Sequence, residues 1–246
     1  MSNILFVTGT DTGVGKTVVS RLLISGLRQR GVTVGVVKPV ETGCLLGADG
    51  ELIAADATAL WQANGQSLAL EEVVPYRFVT PVAPAVAAMK EDRVIDFDFL
   101  ADHIQRLSSE CELLIVEGAG GLLVPLDEAR TFADLAQHLE MTVLLVVASR
   151  LGCINHAALT LEVLRYRGLD VLGYVLNEGL GGEPSDESRA SNRLSVSHAA
   201  SGYEVKELAC LSPHGQLGDL TMLAEVAVAP ELRGLFDAVI EEFGLR

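Results

Sequence analysis

A glycine-rich segment near the N-terminus has the residue types and spacing of a phosphate-binding loop. Residues 9–17 (GTDTGVGKT) follow an apolar run and precede a helical pattern of apolar residues. Glycines let successive backbone N–H groups face phosphate oxygens, and the N-terminus of the following helix adds partial positive charge. In such loops the lysine reaches the β- and γ-phosphates of a nucleotide, and the adjacent hydroxyl binds Mg²⁺. The loop residues predicted to bind nucleotide are Thr12, Gly13, Val14, Gly15, Lys16 and Thr17.

A second basic group is expected at the same place. Lys38 follows the apolar run 32–37, and a lysine at the end of a buried strand is costly unless it meets an anion. We expect this strand to lie beside the first one, so that Lys38 approaches the same phosphates. Its role there would be to stabilise charge on a transferring phosphoryl group. Lys16 and Lys38 are the predicted catalytic residues; the alternative for Lys38 is a side chain that extends into water.

Two carboxylates are predicted to hold Mg²⁺ together with Thr17. Asp56 stands near the start of a predicted helix, and Glu117 ends the apolar run 113–117. An acid at the end of such a strand binds Mg²⁺ in nucleotide-hydrolysing proteins with this type of loop. The alternatives are an ordinary first-turn acid for Asp56 and a plain glycine turn after Glu117. Small residues follow Glu117, so we assign Gly118, Ala119 and Gly120 to the nucleotide and Gly120 and Gly121 to a second substrate.

Composition excludes several classes of function. The 246 residues carry a formal net charge of -15, and 49% are hydrophobic, which is typical of a globular protein. Such an acidic surface disfavours nucleic acid and anionic membranes as partners. Four separated cysteines and no signal-peptide pattern indicate a reducing cytoplasm. Residues 1–40 nevertheless hold five basic residues and one acid, which indicates an anion-binding unit there.

The elements that must position these residues alternate between strands and helices. Continuously apolar runs at 4–8, 32–37, 113–117, 143–148 and 171–176 predict strands that are buried on both faces. Helical apolar stripes lie between them, as in Phe97, Leu100, Ile104 and Leu107. The order predicts an α/β fold of the P-loop NTPase type: a mostly parallel sheet with helices on both faces, in one domain over residues 1–246.

Three segments lie outside this simple alternation. Residues 40–54 are rich in glycine and acids and predict a loop before a helix that starts near Ala55. Residues 178–203 are polar and predict a mobile loop with no more than one weak helix. The C-terminal segment predicts an amphipathic helix whose apolar residues pack on the sheet: Leu232, Leu235, Phe236, Val239, Ile240 and Phe243.

Four motifs together resemble the ATP-dependent dethiobiotin synthetases. They are residues 9–17, residues 38–43 (KPVETG), residues 117–121 (EGAGG) and residues 151–156 (LGCINH), in the family's order and at about its spacing. The resemblance implies that CO₂ adds to one amine of 7,8-diaminononanoate to give a carbamate. The carbamate attacks the γ-phosphate of ATP to form a carbamic-phosphoric anhydride, and the second amine closes the ureido ring.

The resemblance also implies roles for individual residues and a homodimer. Thr12 and Thr42 would donate hydroxyls to phosphate and carbamate, and Asn177 would bind adenine. The segment 151–156 begins a helix, so the N–H groups of Cys153, Ile154 and Asn155 are expected to be free for the substrate's carboxylate, with added charge from Arg150. Residues 205–218, including Pro213 and Gly215, depart from the family's base-binding segment. The family also closes its substrate site with a residue of the partner subunit, and the resemblance implies that this residue lies within 178–203.

The same residues can be compared with the patterns of other protein classes. A partition- or division-type ATPase would carry an extra lysine near Asp11 and often a basic membrane helix at the C-terminus. A cobyrinate-type amidoligase would need a glutaminase domain, for which the chain is too short. A small-molecule kinase fits the motifs 38–43 and 117–121 poorly. A glycine turn that binds nothing is disfavoured, although Gly9 stands one place earlier than the first glycine of the commonest loop.

Overall fold

Apolar runs separated by amphipathic helical patterns fold as a parallel sheet between two layers of helices. The computed structural model describes residues 2–48, 50–179, 186–212 and 229–245. Its strands are β1 (Ile4–Gly9), β2 (Val34–Val37), β3 (Val40–Thr42), β4 (Leu45–Leu46), β5 (Leu52–Ile53), β6 (Tyr76–Phe78), β7 (Leu113–Gly121), β8 (Thr142–Ala148), β9 (Val171–Asn177) and β10 (Glu207–Leu211). Its helices are α1 (Lys16–Gln29), α2 (Ala55–Ala63), α3 (Leu70–Val73), α4 (Pro84–Lys90), α5 (Phe97–Ser108), α6 (Phe132–His138), α7 (Cys153–Tyr166), α8 (Asp186–Ser201) and α9 (Arg233–Phe243).

The main sheet confirms the predicted α/β class. Its strand order is β10-β9-β8-β1-β7-β2, and all neighbouring strands are parallel. Alternate residues of β1 face opposite layers: Ile4 and Phe6 join one core cluster, and Leu5 and Val7 join the other. Because both faces of these strands are covered, their sequences are apolar without alternation. The carboxyl ends of the strands form the edge where a ligand can bind.

The strand order corrects one expectation about Lys38. We predicted that the second strand would lie beside the first, but β7 lies between β1 and β2. Val7 pairs with Glu117 on one side of β7, and Val37 pairs with Val116 on the other. Apolar periodicity identifies strands but does not fix which of them are neighbours. Lys38 therefore approaches the phosphate-binding loop across β7, on which Glu117 lies.

The polar stretch 178–203 contains more helix than its composition indicates. Helix α8 covers Asp186–Ser201, and Val196 and Ala200 are buried against the core. Small Ser and Ala side chains give a weak apolar stripe, so the helix is stabilised by packing that the pattern does not show. Residues 205–218 include β10, the sixth strand of the main sheet. Positions 180–185 and 213–228, with Pro213 and Gly215, lie outside the described residues.

The remaining segments agree with the predicted arrangement. Between residues 40 and 54 the structure adds the short strands β3, β4 and β5, and α2 begins at Ala55 as expected. The C-terminal helix α9 packs on the sheet through the buried side chains of Leu235, Phe236 and Val239. Among the described residues, none of the helices has the length and apolar character needed to span a membrane.

Candidate active site

A cavity of about 640 Å³ opens at the carboxyl ends of β1, β7 and β2. It brings together most of the residues that the sequence assigned to phosphate, metal and substrate. The predicted residues that line it are Thr12, Gly13, Gly15, Lys16, Thr17, Lys38, Thr42, Asp56, Ala119 and Gly120. Three of the four motif segments, 9–17, 38–43 and 117–121, thus converge with the start of α2, whereas the segment 151–156 does not reach this cavity.

The phosphate-binding loop has the backbone shape that its glycines allow. Gly13 and Gly15 have φ angles of 69° and 96°, a region that L side chains rarely adopt. Gly15 precedes α1 in this left-handed conformation, so the free N–H groups of the first helical turn face the loop. The Lys16 Nζ donates to the Asp11 carbonyl oxygen at 3.2 Å, folding the side chain over its own loop. The loop is preformed around the space that a phosphate group would occupy.

A buried ion network beside the cavity connects the end of β2, the middle of β7 and the first turns of α1 and α2. The Lys38 Nζ donates to Glu117 Oε1 at 2.7 Å and lies 3.1 Å from Asp56 Oδ2. The Thr17 hydroxyl donates to the same Glu117 oxygen at 2.8 Å. Burial alone would lower the pKa of Lys38, but the carboxylates of Glu117 and Asp56 outweigh it and raise that pKa above its ordinary value. Lys38 is therefore a permanent cation in a largely water-free position.

Lys16 has the opposite electrostatic environment. Burial removes its hydration and Lys38 adds a like charge, and together they lower the pKa of Lys16 from 10.5 to about 8. The nearby acids Glu117, Asp56 and Asp11 oppose this shift without cancelling it. The protein's own acids therefore compensate the ammonium charge of Lys16 only in part, and a bound anion would complete this compensation.

The oxygen groups near Lys38 fit a magnesium ion. Glu117 Oε2 is buried and has no hydrogen-bond partner among the described residues. Burial raises the pKa of Asp56, but Lys38 reverses the effect and lowers it below the ordinary value, so this half-exposed side chain is a carboxylate. Mg²⁺ is bound through one or two carboxylates plus substrate phosphates, rather than by a complete protein cage. The described residues contain no group of three or more His, Cys, Asp and Glu side chains arranged around one point.

The glycines after Glu117 lie close to neighbouring side chains, and one of them also lines the cavity. A Cβ at Gly118 would lie 3.0 Å from the Phe6 ring, a tight contact that favours glycine beside the neighbouring strand. Gly120 has a φ of 67° and lines the cavity, where a Cβ would stand 2.8 Å from Val124 Cγ2. Gly121 pairs with Gly9 and lies outside the cavity lining. Only part of this segment is therefore open to a ligand in the described chain.

The segment 151–156 differs from the sequence expectation in two respects. The Cys153 N–H donates to the Arg150 carbonyl at 3.0 Å, so it is not free for an anion as predicted. The Arg150 guanidinium forms an ion pair with Asp11 in the phosphate-binding loop, so its charge is already paired. Burial raises the pKa of the Cys153 thiol, which agrees with the expectation that it is not a nucleophile. The side chain of Ile154 is exposed, and α7 carries Asn155 one residue further along.

Asn177 supports the phosphate-binding loop from the end of β9. Its Nδ2 donates to the Val14 carbonyl at 3.1 Å, and its Oδ1 accepts from the Gly179 N–H at 3.0 Å. The residue is buried and does not line the 640 Å³ cavity. Its side chain retains one N–H and one oxygen lone pair for a further partner.

Sequence reasoning missed several residues of the cavity. Glu41, the stretch 81–84 and Val124 all line it. Glu41 lies inside the motif 38–43, so the signal was present, although only Lys38 and Thr42 were assigned. The two prolines of the stretch 81–84 indicate a rigid turn, but nothing in their spacing indicates where this turn lies.

The fold and the site define a P-loop nucleoside triphosphatase: a phosphate-binding loop between β1 and α1, with the Glu117 carboxylate of β7 bonded to Thr17. A family model described as an AAA domain matches residues 3–226. A MinC:MinD cell division complex from Aquifex aeolicus superposes with a TM-score of 0.57 over 98% of this chain and 95% of that one, at 14% identity. This low identity shows a common fold and nothing more specific.

The sequence relatives give the particular family. An ATP-dependent dethiobiotin synthetase of Anaeromyxobacter sp. (strain Fw109-5) is 42% identical over 205 residues, which are 83% of this chain and 89% of the relative. The one from Aquifex aeolicus (strain VF5) is 36% identical over 240 residues, 97% of this chain and 98% of the relative. The chain belongs to the family of ATP-dependent dethiobiotin synthetases.

Proposed function

We propose that this cavity closes the ureido ring of dethiobiotin from 7,8-diaminononanoate and CO₂ at the expense of ATP, a ligase reaction of biotin biosynthesis. The observation that carries the proposal is the convergence of Lys16, Lys38 and Thr42 on one cavity in a chain of this family. Two ammonium groups at the phosphate end can stabilise the charge that develops when a carbamate oxygen attacks the γ-phosphate. The product of that step is the carbamic-phosphoric anhydride, and attack by the second amine releases phosphate.

Lys16 and Lys38 have separable roles in this proposal. Lys16 belongs to the loop that cradles the phosphates, so it contributes to nucleotide binding as well as to the transition state. Lys38 is fixed by Glu117 and Asp56, so its ammonium is held in place before the substrates arrive. A preorganised charge stabilises the transition state without reorganisation during the reaction. The Thr42 hydroxyl, one strand residue beyond Glu41, lines the cavity and would donate to the carbamate.

Thr17, Asp56 and Glu117 would hold Mg²⁺. The buried, unpaired Oε2 of Glu117 and the half-exposed carboxylate of Asp56 support this assignment. When bound, the ion would neutralise charge on the β- and γ-phosphates. The protein's own contribution is to hold two hard oxygen donors and a hydroxyl at the phosphate end of the cavity.

The remaining substrate contacts point to a second subunit. Gly120 and Thr42 line the cavity, whereas Gly121, Arg150, Cys153, Ile154 and Asn155 lie outside its lining. If the segment 151–156 receives the substrate's carboxylate, one chain does not present both ends of the substrate site in this cavity. We therefore propose a homodimer in which the two parts of the site come from different chains. Leu151 and Ile154 expose apolar side chains on this segment, which suits an interface.

We assign the adenine contact to Asn177, with Gly118 and Ala119 on the nucleotide side of the site. The spare N–H and oxygen lone pair of the Asn177 amide match the edge of an adenine ring. We also propose a cytoplasmic location, which is supported by the four free thiols of Cys44, Cys111, Cys153 and Cys210.

The direct test is synthesis by the purified protein. ATP, Mg²⁺, bicarbonate and 7,8-diaminononanoate should yield dethiobiotin and phosphate in equal amounts, measured by mass spectrometry and a phosphate assay. ATP binding without any product would refute the proposal.

A variant of Lys38 tests the catalytic assignment. Lys38→Ala should keep ATP binding within a few-fold, because the phosphate-binding loop is intact, and should lose turnover by at least about a hundredfold. Isothermal titration measures the first quantity and product formation measures the second. Wild-type turnover in this variant would remove Lys38 from the mechanism.

A further inference from the structure

Glu41 is a buried carboxylate that connects two elements of the cavity. It lies on β3, 7% exposed, between Lys38 and Thr42 in the chain. Its Oε1 accepts from the Asp56 N–H at 3.0 Å, and its Oε2 accepts from the Ala57 N–H at 2.8 Å. Both acceptor oxygens are therefore directed at the first turn of α2, fifteen and sixteen residues further along the chain.

These two bonds replace a cap that α2 lacks locally. Ala54, the residue preceding the helix, has no side-chain oxygen, so its position provides no capping bond. A carboxylate at a helix N-terminus is favoured by the free N–H groups and by the helix dipole. Hydrogen bonds to a charged acceptor are roughly twice as strong as neutral ones. A serine at position 54 would satisfy one of these N–H groups, but it would not connect α2 to β3.

The Glu41 bonds connect two elements that each carry a residue of the site. Thr42 follows Glu41 directly on β3, and Asp56 lies in the capped turn with its carboxylate 3.1 Å from Lys38 Nζ. The chain between them contains the hairpin β4–β5, whose Leu45 and Leu46 are each 68% exposed. This hairpin buries little apolar surface that could hold α2 in place. Helix α2 packs against α1 and β2, with Ala57 and Leu60 buried, and Glu41 adds a direct hydrogen-bonded contact between the first turn of α2 and the strand that carries Thr42.

We propose that Glu41 is a positioning residue: by bonding to the first turn of α2, it fixes the Asp56 carboxylate beside Lys38 and at the phosphate end of the cavity. Its role in turnover rests on the proposed reaction, whereas its effect on metal affinity rests only on the assignment of Asp56 to Mg²⁺. Residues that orient a metal ligand change metal affinity or activity by 10- to 100-fold when they are mutated. We expect Glu41 variants to bind the metal more weakly by a similar factor.

The test compares Glu41→Gln and Glu41→Ala with the wild-type protein. The affinity of the protein–ADP complex for Mn²⁺ is measured by electron paramagnetic resonance, and ADP affinity is measured separately in EDTA. We expect Mn²⁺ affinity to fall about 10-fold or more in both variants, with ADP affinity in EDTA unchanged within about twofold. Glu41→Gln has nearly the shape of the natural side chain, so it tests the proposal even if Glu41→Ala fails to fold.

The matched control is a glutamate that also accepts a hydrogen bond from a backbone N–H but lies away from the cavity. Glu112 accepts a hydrogen bond from the Thr33 N–H at 2.7 Å, just before the opposite end of β2, so Glu112→Gln should leave Mn²⁺ affinity unchanged. The double variant Glu41→Ala/Ala54→Ser separates capping from positioning. A double variant with wild-type melting temperature but weakened Mn²⁺ affinity supports positioning. A double variant that regains both quantities overturns the proposal, and so does Mn²⁺ affinity at the wild-type level in Glu41→Gln. Wild-type protein that makes no dethiobiotin while showing these Mn²⁺ effects would refute the proposed function alone.

Discussion

Nucleotide binding should take up a proton through Lys16. Burial and the neighbouring ammonium of Lys38 lower the pKa of Lys16 to about 8. Phosphates carry negative charge into the loop and favour the ammonium form, so the bound state should have a pKa near the ordinary value of 10.5. The bound protein then holds more protons than the free protein, and affinity must fall as pH rises through 8.

The size of the effect follows from the two pKa values. A group with a pKa of 8 is about half deprotonated at pH 8, about 10% at pH 7 and about 90% at pH 9. Binding should therefore take up about 0.5 proton at pH 8 and about 0.9 at pH 9. Integrated from pH 7 to pH 9, this linkage weakens nucleotide affinity about tenfold, or about 1.4 kcal/mol.

Titration calorimetry with ADP in buffers of different ionisation enthalpy measures this proton uptake directly. At pH 8 and above the nucleotide phosphates are already fully ionised, so they contribute no proton change of their own. Lys16→Arg is the control, because a guanidinium stays protonated at these pH values, and its uptake should be close to zero. Absence of uptake in the wild-type protein at pH 9, or equal uptake in Lys16→Arg, would refute the assignment of a lowered pKa to Lys16.

Two further predictions concern packing and base recognition. Gly26→Ala would place a Cβ 2.2 Å from the buried Phe236 ring. Despite a helix-propensity gain of about 1 kcal/mol, we expect the free energy of unfolding in urea to fall and to recover when Phe236→Leu is added. A single variant that is more stable than the wild type would contradict this packing. Asn177→Ala removes the bond to the Val14 carbonyl and the proposed adenine contact. The dissociation constant for ATP should therefore rise at least about fivefold, and by a larger factor than the dissociation constant for GTP. Equal increases for ATP and GTP would mean that Asn177 supports the loop and does not contact the base.

Most of the fold could be predicted from local sequence, but strand order could not. The runs that became β1, β7, β8 and β9 are continuously apolar, and this pattern is produced by burial on both faces. The insertion of β7 between β1 and β2 depends on how the connections cross the sheet, which periodicity does not record. Helix α8 was underestimated for a related reason: Val196 and Ala200 bury little area each, and their contribution depends on a neighbouring helix.

The sequence by itself determined the chemistry: the phosphate-binding loop, the two lysines and the carboxylates follow from residue types at fixed local spacing. The tertiary structure decided which of these groups share one ion network, because Lys38, Asp56 and Glu117 meet across separate elements. It also showed that Arg150 is paired with Asp11 and that Glu41 holds the first turn of α2. Hydrogen bonds and ion pairs between distant segments depend on a few ångströms of backbone placement, and that placement is set by the packing of the whole chain.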